Sequence, residues 1–342
     1  MATARTSGDV VQIGMVGTGF VARLRADTIQ KMSSARLVAV AGHSTAETTA
    51  FAEQYAAVAC DRWQTLVNYP DLDLVIVCNI NRDHGPTVAA ALEANCHVVV
   101  EYPLALSAEQ AQPLLTLAQA KQRMLHVEHI ELLGGTHRAL RASLEAVGQP
   151  VYARYCTLSP KHPAPRSWTY SPELFGFPLA GALSRLSRLI DCFGPVARIY
   201  CQNHYGALCP APEGTTFYRT CLCTAHLTFA SGLMAEVAYG KGEGLWKAAR
   251  RLEVSGSAGY LCFDSDRGTI TDAQGLRSLE VGSRRGLFAI DMAQVIDHLL
   301  TGQALYCTPT ASLYTLQVAA AAQRSAATGQ AIDVTTAELM LS

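Results

Sequence analysis

The sequence lacks several features that would each define a class of protein. Its 27 Lys and Arg residues are balanced by 28 Asp and Glu residues, and no long run of either sign occurs. This balance removes the electrostatic footprint of a nucleic-acid binder. No stretch gives about 18 uninterrupted apolar residues, so we expect no membrane span. The polar segment Met1–Asp9 has no apolar core of a signal peptide, so we expect a cytoplasmic protein.

Cysteine is present, but without a pairing pattern. There are 11 cysteines, an odd number, and no Cys-x-x-Cys pair occurs among them. Several lie inside apolar runs, where a reduced cysteine behaves as a small hydrophobic residue. We therefore expect reduced, buried thiols, as in other cytosolic proteins, and no metal site.

The chain is long enough and apolar enough for two well-packed domains. It has 342 residues, of which 49% are hydrophobic and 16% are charged. Over residues 1–130, short apolar runs alternate with helical patterns, which predicts βαβ units and a parallel sheet. The predicted strands are Val11–Val16, Leu37–Ala41, Leu74–Cys78, His97–Val100 and Met124–Val127. The predicted helices are Val21–Met32, Thr45–Tyr55, Pro86–Ala94 and Ser107–Ala120.

Residues 131–342 have a different pattern, in which most strands follow one another directly and one predicted helix interrupts them early. This pattern predicts a second domain with a mostly antiparallel sheet. The predicted strands are Val151–Leu158, Ala197–His204, Arg219–Phe229, Leu233–Tyr239, Arg251–Ser255 and Tyr260–Asp264. The predicted helices are Leu179–Cys192, Ala289–Leu300 and Ala311–Ala326.

A glycine-rich turn follows the first predicted strand and opens the first predicted helix. It reads Gly17-Thr18-Gly19-Phe20-Val21-Ala22. In such a turn the first glycine permits the bend, the second lets the backbone approach a pyrophosphate, and the third position accepts alanine. The amides at the helix N-terminus then bind the phosphates. Because the turn lies in a βαβ unit at the start of the domain, it favours a dinucleotide site over a plain turn.

The end of the second predicted strand indicates which dinucleotide is bound. An NAD site usually carries an acidic side chain here to bind the ribose diol. This chain has instead Ala41-Gly42-His43-Ser44-Thr45. The hydroxyls of Ser44 and Thr45, with His43 and Arg25, are candidates to bind a 2′-phosphate. We therefore expect NADPH as the cofactor and NADH as a weaker one. The alternative interpretation is a solvated loop that selects neither cofactor.

Two more segments at the carboxyl ends of predicted strands are candidates for the cofactor site, because ligands bind at that edge of a parallel sheet. Asn79, Asn81 and His84 follow the strand Leu74–Cys78, and Glu101 follows the strand His97–Val100. We expect the nicotinamide half of the cofactor beside them. An ordinary turn is the alternative for the first segment.

Together these features resemble the glucose–fructose oxidoreductase and inositol dehydrogenase family over nearly the whole chain. The resemblance implies a Rossmann domain followed by an α+β domain with a large, mostly antiparallel sheet. In that family Glu-Lys-Pro carries the lysine that handles the proton of the alcohol, and an Asp and a His four residues apart complete the site. This chain has Tyr102, Ser184 and Arg188 at those positions. The three changes predict a different reaction.

Three separated blocks carry a narrower resemblance. They are Glu101–Leu104, His126–Leu133, and Phe175–Pro178 with Leu183–Leu186. They resemble the biliverdin reductases, the cyanobacterial ones in particular, but the basic, cysteine-bearing tail of the animal form is absent. The resemblance implies NADPH-dependent reduction of biliverdin to bilirubin, with hydride added to methine carbon C10 and a proton to a pyrrole nitrogen. No alkoxide forms in that reaction, so no lysine is needed.

The substrate implied by this resemblance is a planar, apolar tetrapyrrole with two propionates, which needs an apolar wall and cations. Arg185 and Arg188 lie three residues apart on one face of a predicted helix. We expect Arg185 to polarise the bilin or to deliver its proton, directly or through water, and Arg188 to bind a propionate. The candidate aromatic residues of the wall, for which core packing is an equal alternative, are Trp168, Tyr170, Phe175 and Phe177.

The remaining candidates are Glu101, Tyr102, Glu128 and Glu131. A carboxyl group beside an apolar cleft has a raised pKa and can serve as an acid. We therefore take Glu101 as a catalytic candidate and Glu131 as a substrate-binding one. We expect Tyr102 to shape the site near the nicotinamide without ionising, and Glu128 to pair with a backbone amide.

Two other functions stay open. The fold also suits oxidation of a sugar or another alcohol, with Tyr102 as the proton-transfer group. A non-catalytic NADP-binding regulatory protein would bind the cofactor tightly and reduce no bilin. The sequence leaves open the oligomeric state and the number and orientation of bound bilins. It predicts a small-molecule substrate and no nucleic-acid or membrane partner.

Overall fold

The computed structural model describes residues 10–212 and 214–334, which fall into two compact units. The first unit comprises the chain up to Ile130 together with Gly286–Leu313. The second comprises Glu131–Arg285 together with the chain from Tyr314. The sequence placed everything after residue 130 in the second domain, because chain order gives no sign that Gly286–Leu313 returns to the first unit. No helix in the described part of the chain is long and apolar enough to cross a membrane.

The first unit is built on six parallel strands. They are β1 (Val11–Val16), β2 (Ala35–Ala41), β3 (Val58–Cys60), β4 (Leu74–Val77), β5 (His97–Val100) and β6 (Leu125–Val127). They form one sheet in the order β3-β2-β1-β4-β5-β6, which is the order of the dinucleotide-binding fold. The strand order reverses between β1 and β4: strands β2 and β3 lie on one side of β1, and β4 to β6 lie on the other. Ligands are expected at the carboxyl ends of the strands at this point.

Five helices connect these strands. They are α1 (Phe20–Ile29), α2 (Thr45–Gln54), α3 (Trp63–Leu66), α4 (Asn81–Glu93) and α5 (Ala108–Lys121). Each long helix overlaps the predicted one, but α4 begins at Asn81 rather than at Pro86. The proline suggested a helix start, whereas it lies inside the helix. The short strand β3 was not predicted.

The second unit is built on a nine-stranded sheet. Its strands are β7 (Pro150–Pro160), β8 (Val196–Pro210), β9 (Thr216–Phe229), β10 (Met234–Gly242), β11 (Ala249–Gly256), β12 (Gly259–Asp264), β13 (Arg267–Asp272), β14 (Gly275–Leu279) and β15 (Ile332–Asp333). The order is β14-β13-β12-β11-β7-β10-β9-β8-β15. Only the β7–β10 pairing of this described sheet is parallel, which confirms the predicted, mostly antiparallel architecture. The last three strands in chain order were not predicted.

Four helices precede or follow β7. They are α6 (Gly135–Ser143), α7 (Pro172–Phe175), α8 (Pro178–Gly181) and α9 (Ser184–Phe193). The single helix predicted over Leu179–Cys192 is therefore broken at Ala182, which has φ −115° and ψ 40°. Gly181 permits this bend to pack tightly, since a Cβ there would lie 2.3 Å from the Phe175 ring.

Two helices close the chain, α10 (Leu287–Thr301) and α11 (Pro309–Thr328). The helix α10 belongs to the first unit, where Met292, Val295 and Ile296 join the hydrophobic core that also contains α1 and β1 side chains. This burial of apolar surface is the main force that holds α10 in the unit.

The eleven cysteines are free, as predicted. Ten are buried or half-buried, and Cys209 on β8 is exposed. The Sγ atoms of Cys201 and Cys223 lie 3.5 Å apart on neighbouring strands, in hydrogen-bond contact but not in a disulfide.

A buried arginine organises the polar interior of the first unit. Arg25 on α1 is 0% exposed, and its guanidinium donates to Glu101 at 2.8 Å and to Asp291 on α10 at 2.7 Å. The other carboxylate oxygen of Asp291 lies 2.8 Å from Nε2 of His126 on β6 and accepts from Tyr306 at 2.9 Å. Burial alone raises the pKa of Asp291, but the Arg25 charge and the His126 bond hold that pKa well below its usual range.

The first prediction concerns this ion pair. Asp291→Asn should lower the free energy of unfolding at pH 7 by about 3–5 kcal/mol, because it leaves Arg25 buried with one carboxylate fewer. The pKa of Asp291 is lowered in the folded state, so its stabilisation is present above the unfolded value of roughly 4 and is lost as pH falls. Urea unfolding at pH 7 and at about pH 2 measures both effects, because most of the loss falls below the unfolded pKa. Asp71→Asn, on the exposed surface, is the control. An equal loss in both variants would contradict the prediction.

Candidate functional site

The glycine-rich turn has the geometry of a dinucleotide site. Gly17 has φ +123°, and a Cβ there would lie 2.5 Å from the Cys78 carbonyl oxygen, so only glycine fits. Gly19 precedes α1, and a Cβ there would meet no protein atom within 4 Å. Ala22 is fully buried against the core, and Phe20 is 75% exposed. The turn therefore leaves open space at the N-terminus of α1, where a pyrophosphate binds in this fold.

The predicted 2′-phosphate site lies at the end of β2. Ser44 caps α2, and its Oγ accepts from the Glu47 amide at 3.4 Å. Thr45 and His43 are exposed beside it. Arg25 cannot take part as the sequence suggested, because it is buried and bound to Glu101 and Asp291. The hydroxyls and His43 thus remain the candidates for selecting NADPH.

The segment after β4 is helical and largely buried. Asn81 is the first residue of α4, and the Asn79 side-chain amide donates to Thr87 at 3.2 Å. The two ring nitrogens of His84 lie 2.7 Å from the Pro103 oxygen and 3.1 Å from the Asn79 oxygen. His84 is 0% exposed, so it positions the segment after β5 rather than contacting a cofactor, contrary to the sequence interpretation. Burial lowers its pKa and keeps the ring neutral.

The Glu101-Tyr102 segment is fixed from two sides. Glu101 accepts from Arg25 and keeps 16% of its side chain exposed. The Tyr102 ring stacks on His129, with ring centroids 5.5 Å apart and planes 10° apart. His129 is in turn bound to Ser312 at 2.9 Å. Burial and the neighbouring His126 lower the pKa of His129 to about 3, so the stacked ring is neutral.

Glu128 is a buried acid beside Glu101. It accepts from the Ile130 amide, as predicted. Burial and then the charge and hydrogen bond of Glu101 raise the pKa of Glu128 well above its usual range. Two carboxyl groups held this close, on the carboxyl-end side of β5 and β6, disfavour a second negative charge.

In the second unit, Glu131 is the centre of an arginine cluster. Its carboxylate accepts from Arg188 at 2.7 Å, from Arg250 at 3.1 Å and from Arg284 at 3.2 Å. Burial opposes ionisation, but Arg188 and the other arginines lower the pKa of Glu131 to about 2. Glu131 is thus an anion that anchors cations rather than a direct partner for an anionic substrate.

The role predicted for Arg188 also differs from the structure, because Arg188 is bound to Glu131. It is 1% exposed, and its Nη2 donates to both the carboxylate and the backbone oxygen of Glu131. The sequence analysis assigned Arg188 to a propionate, because the helix face of Arg188 can be inferred from residue spacing. Its partner Glu131 lies 57 residues earlier in the chain, and spacing does not indicate that contact. Arg188 therefore holds Glu131 in position.

Arg185 lines an open cleft of about 480 Å³ in the second unit. Its Nη1 donates to Ser184 at 2.8 Å, and its Cζ lies 5.4 Å from the centroid of the Tyr239 ring. The other lining residues are Thr157, Leu158, Ser159, Lys247, Ala248, Ala249, Arg250, Arg251, Asp264 and Ser265. The lining carries four cationic side chains and one carboxylate, but Arg250 is paired with Glu131 and Arg251 with Glu253. Arg185 and Lys247 are therefore the candidates to bind carboxylates of a ligand.

The predicted aromatic wall is only partly available. Phe175 and Phe177 are 7% and 9% exposed and contribute mainly to the core. Core packing was the alternative that the sequence analysis left open for these residues. Trp168 is half-buried, and its ring centroid lies 5.9 Å from that of Phe175. Trp168 thus remains the best placed of the predicted aromatics to meet a ligand.

Sequence reasoning missed Lys241 on β10, which is 6% exposed. A signal was available, because Ala235, Val237 and Tyr239 alternate on the buried face of β10 and Lys241 continues that alternation. A lysine at such a position is unusual enough to mark it for attention.

One group of side chains in the described residues has the make-up of a metal site. His137, Asp191 and Cys192 bring their ligand atoms within 4.8 Å of one another. However, Arg141 donates to the same Asp191 oxygen that contacts His137, at 2.6 Å. That guanidinium opposes a bound cation, so the group forms an ion pair.

The chain belongs to an oxidoreductase family with two domains. The family model described as an oxidoreductase family with an NAD-binding Rossmann fold matches residues 11–129. The model of the C-terminal alpha/beta domain of the same family matches residues 144–334. Together they span most of the chain and confirm the predicted family.

Among solved structures, this chain is similar to a biliverdin reductase from Synechocystis sp. PCC 6803 in complex with biliverdin and NADP⁺. The two are 44% identical with a TM-score of 0.89, over 93% of this chain and 99% of the other. An NAD-binding oxidoreductase from Klebsiella pneumoniae, 19% identical with a TM-score of 0.81 over 96% of this chain and all of that one, shares the fold.

Curated relatives include biliverdin reductase A of Mus musculus and of Homo sapiens. They are 35% and 32% identical to this chain over 129 residues, which is 38% of this chain. The matched region spans 41% and 40% of those two proteins. The resemblance of the sequence blocks to biliverdin reductases is therefore confirmed.

The second prediction tests the glycine-rich turn. Gly19→Ala should leave the thermal midpoint within about 1–2 °C of the wild type, because the added methyl meets no protein atom. It should raise the KM for NADPH roughly tenfold or more, because the methyl fills space that the pyrophosphate needs. Gly17→Ala is the contrasting variant, since strain and the Cys78 contact should lower the midpoint itself. An unchanged KM in Gly19→Ala would rule out a pyrophosphate at this turn.

Proposed function

We propose that this chain reduces biliverdin to bilirubin with NADPH, adding hydride to the methine carbon C10 and a proton to a pyrrole nitrogen. NADH is a weaker cofactor in this proposal. The observation that carries it is the cationic cleft at Arg185, in a chain 44% identical to an enzyme solved with biliverdin and NADP⁺. A bilin has two propionates, which match the excess of cations in the cleft.

The cofactor assignment rests on the first unit. Gly19 leaves room for the pyrophosphate, and the free space lies at the N-terminus of α1. Ser44 and Thr45 present hydroxyls at the position where an NAD site carries an acid, so a 2′-phosphate meets no carboxylate from these residues. When bound, NADPH supplies the hydride.

Alcohol oxidation is less well supported, because the three positions that would perform it hold other groups with other partners. Tyr102 is stacked on His129, Ser184 accepts from Arg185, and Arg188 is bound to Glu131. Removal of a carbinol proton needs a base within hydrogen-bond reach of the substrate. A buried, ion-paired arginine does not provide one.

The residues of this chain have distinct roles in the proposed reaction. Arg185 keeps a positive charge at the cleft, which stabilises negative charge that develops on the bilin during hydride addition. Arginine holds its proton too tightly to be the final donor, so the proton reaches the nitrogen through water or from an acid. Glu101, which keeps 16% of its side chain exposed, is the candidate acid. Tyr102 shapes the site, and Trp168 offers an aromatic surface to the tetrapyrrole.

The third prediction is the reaction itself. The purified protein mixed with biliverdin and NADPH should produce the bilirubin absorption band, and NADH should support a lower kcat/KM. A panel of sugars and polyols with NADP⁺ is the comparison for alcohol oxidation. Cofactor binding without turnover of any of these substrates would favour the regulatory alternative. Turnover of an alcohol and not of biliverdin would overturn the proposal.

The fourth prediction concerns Arg185. Arg185→Ala should lower kcat by ~10²–10³ with little change in NADPH affinity, because a preorganised charge is lost from the substrate side. Arg185→Lys should recover part of the rate, since it keeps the charge without the planar fork. Arg267→Ala, an exposed arginine on β13, is the matched control. A near-normal kcat in Arg185→Ala would remove this residue from the chemistry.

A further inference from the structure

Lys241 has surroundings that are unusual for a lysine. It lies on β10 with 6% of its surface exposed. Its Nζ is 4.1–5.9 Å from the ring centroids of four aromatic side chains, which we call the aromatic cage: Phe175, Tyr170, Tyr218 and Tyr239. Rings at these distances attract an ammonium through their negative faces.

Lys241 also connects the sheet to the segment Trp168–Phe175. Its Nζ donates to the backbone oxygen of Thr169, and Tyr218 donates to the same oxygen at 2.9 Å. None of the ion pairs found among residues 10–212 and 214–334 includes Lys241. The contacts of Lys241 are therefore rings and one carbonyl, and they converge on the segment that carries Trp168.

One ring of the aromatic cage, that of Tyr239, also contacts Arg185. The Tyr239 ring centroid lies 5.9 Å from Lys241 Nζ and 5.4 Å from Arg185 Cζ. The Tyr239 ring is thus shared by two cations, whose charges repel each other. The charge on Lys241 also adds to the positive potential of the substrate side of the second unit.

Lys241 can lose this charge near neutral pH. Burial lowers its pKa to about 7, with Cys221 opposing the shift and the Arg185 charge adding to it. The titratable or charged groups that face the ammonium are Tyr170 on the segment, Tyr218 and Cys221 on β9, Tyr239 on β10 and Arg185 on α9.

A buried ammonium without a carboxylate partner costs stability, and a methionine of similar length would fill the cage without that cost. A residue that breaks a packing rule in this way, beside a candidate site, is more readily explained by function than by folding.

We propose that Lys241 is a positioning residue for the proposed bilin site: its ammonium holds the Trp168–Phe175 segment against the sheet and packs on the Tyr239 ring that Arg185 also contacts. The bilin as substrate is taken from the proposed function. The positioning role rests on the contacts of Lys241 with Thr169 and the rings. The charged form strengthens the contacts with the Thr169 oxygen and the rings, and it increases the attraction for propionates. Affinity for a bilin should therefore fall as pH rises through 7.

The fifth prediction measures this affinity. The dissociation constant of biliverdin from the NADP⁺-loaded protein, which cannot reduce it, is determined from pH 6 to 8.5 by fluorescence quenching. In the wild type it should rise about threefold or more over that range. In Lys241→Arg it should change little with pH, because the charge is fixed. In Lys241→Met it should be weak and independent of pH, with KM raised more than kcat is lowered.

A surface variant and a stability measurement complete the test. Lys31→Met, an exposed lysine, should keep the wild-type pH profile. Lys241→Met should fold with a thermal midpoint at pH 6 no lower than that of the wild type, because it removes a buried charge. The same pH profile in Lys241→Met as in the wild type would overturn the proposal.

A second measurement needs no bilin. In a Trp63→Phe, Trp246→Phe background, the emission of Trp168 reports on the segment alone. It should show a transition near pH 7 that Lys241→Met abolishes. If biliverdin fails to bind but this transition behaves as expected, the proposed function is wrong and the positioning role stands. A transition that persists in Lys241→Met would overturn the positioning role itself.

Discussion

The first unit depends on the ion pair between Arg25 and Asp291. It joins α1, which opens at the dinucleotide turn, to α10, which comes 266 residues later in the chain. The same guanidinium holds Glu101 at the end of β5, and the same carboxylate holds His126 on β6. Because a buried charge without a partner is costly, each of these four elements constrains the others. The turn, the helix and the candidate acid are therefore positioned by one network.

Local features of the sequence predicted the framework of both units. The strands β1 and β5 have the predicted bounds, and the turn at Gly17 has the backbone that its glycine implied. These features depend on residues that are neighbours in the chain, so hydrophobic periodicity and turn chemistry suffice to find them. The short strand β3 and the break at Ala182 depend on packing partners elsewhere, and they were missed.

The partners of charged side chains were the least predictable part of the site. Arg25 and Arg188 lie on helix faces whose burial could be inferred, but their carboxylates come from distant segments. Both arginines were therefore assigned to ligands, whereas each is paired with a carboxylate of the protein. Arg185, on the same helix as Arg188, lines the open cleft, so one turn of helix separates a structural cation from a candidate catalytic one. Sequence spacing alone cannot make that distinction.

The burial of the cysteines has a practical consequence for reactivity. The thiolate is the form that reacts with alkylating reagents and oxidants. Burial raises the pKa of Cys60, Cys96, Cys156 and Cys192, so these thiols carry little nucleophilic character. Cys209 is the exposed cysteine among the eleven. It offers a native attachment point for a spectroscopic label on the second unit, on a strand outside the Arg185 cleft, without any engineered substitution.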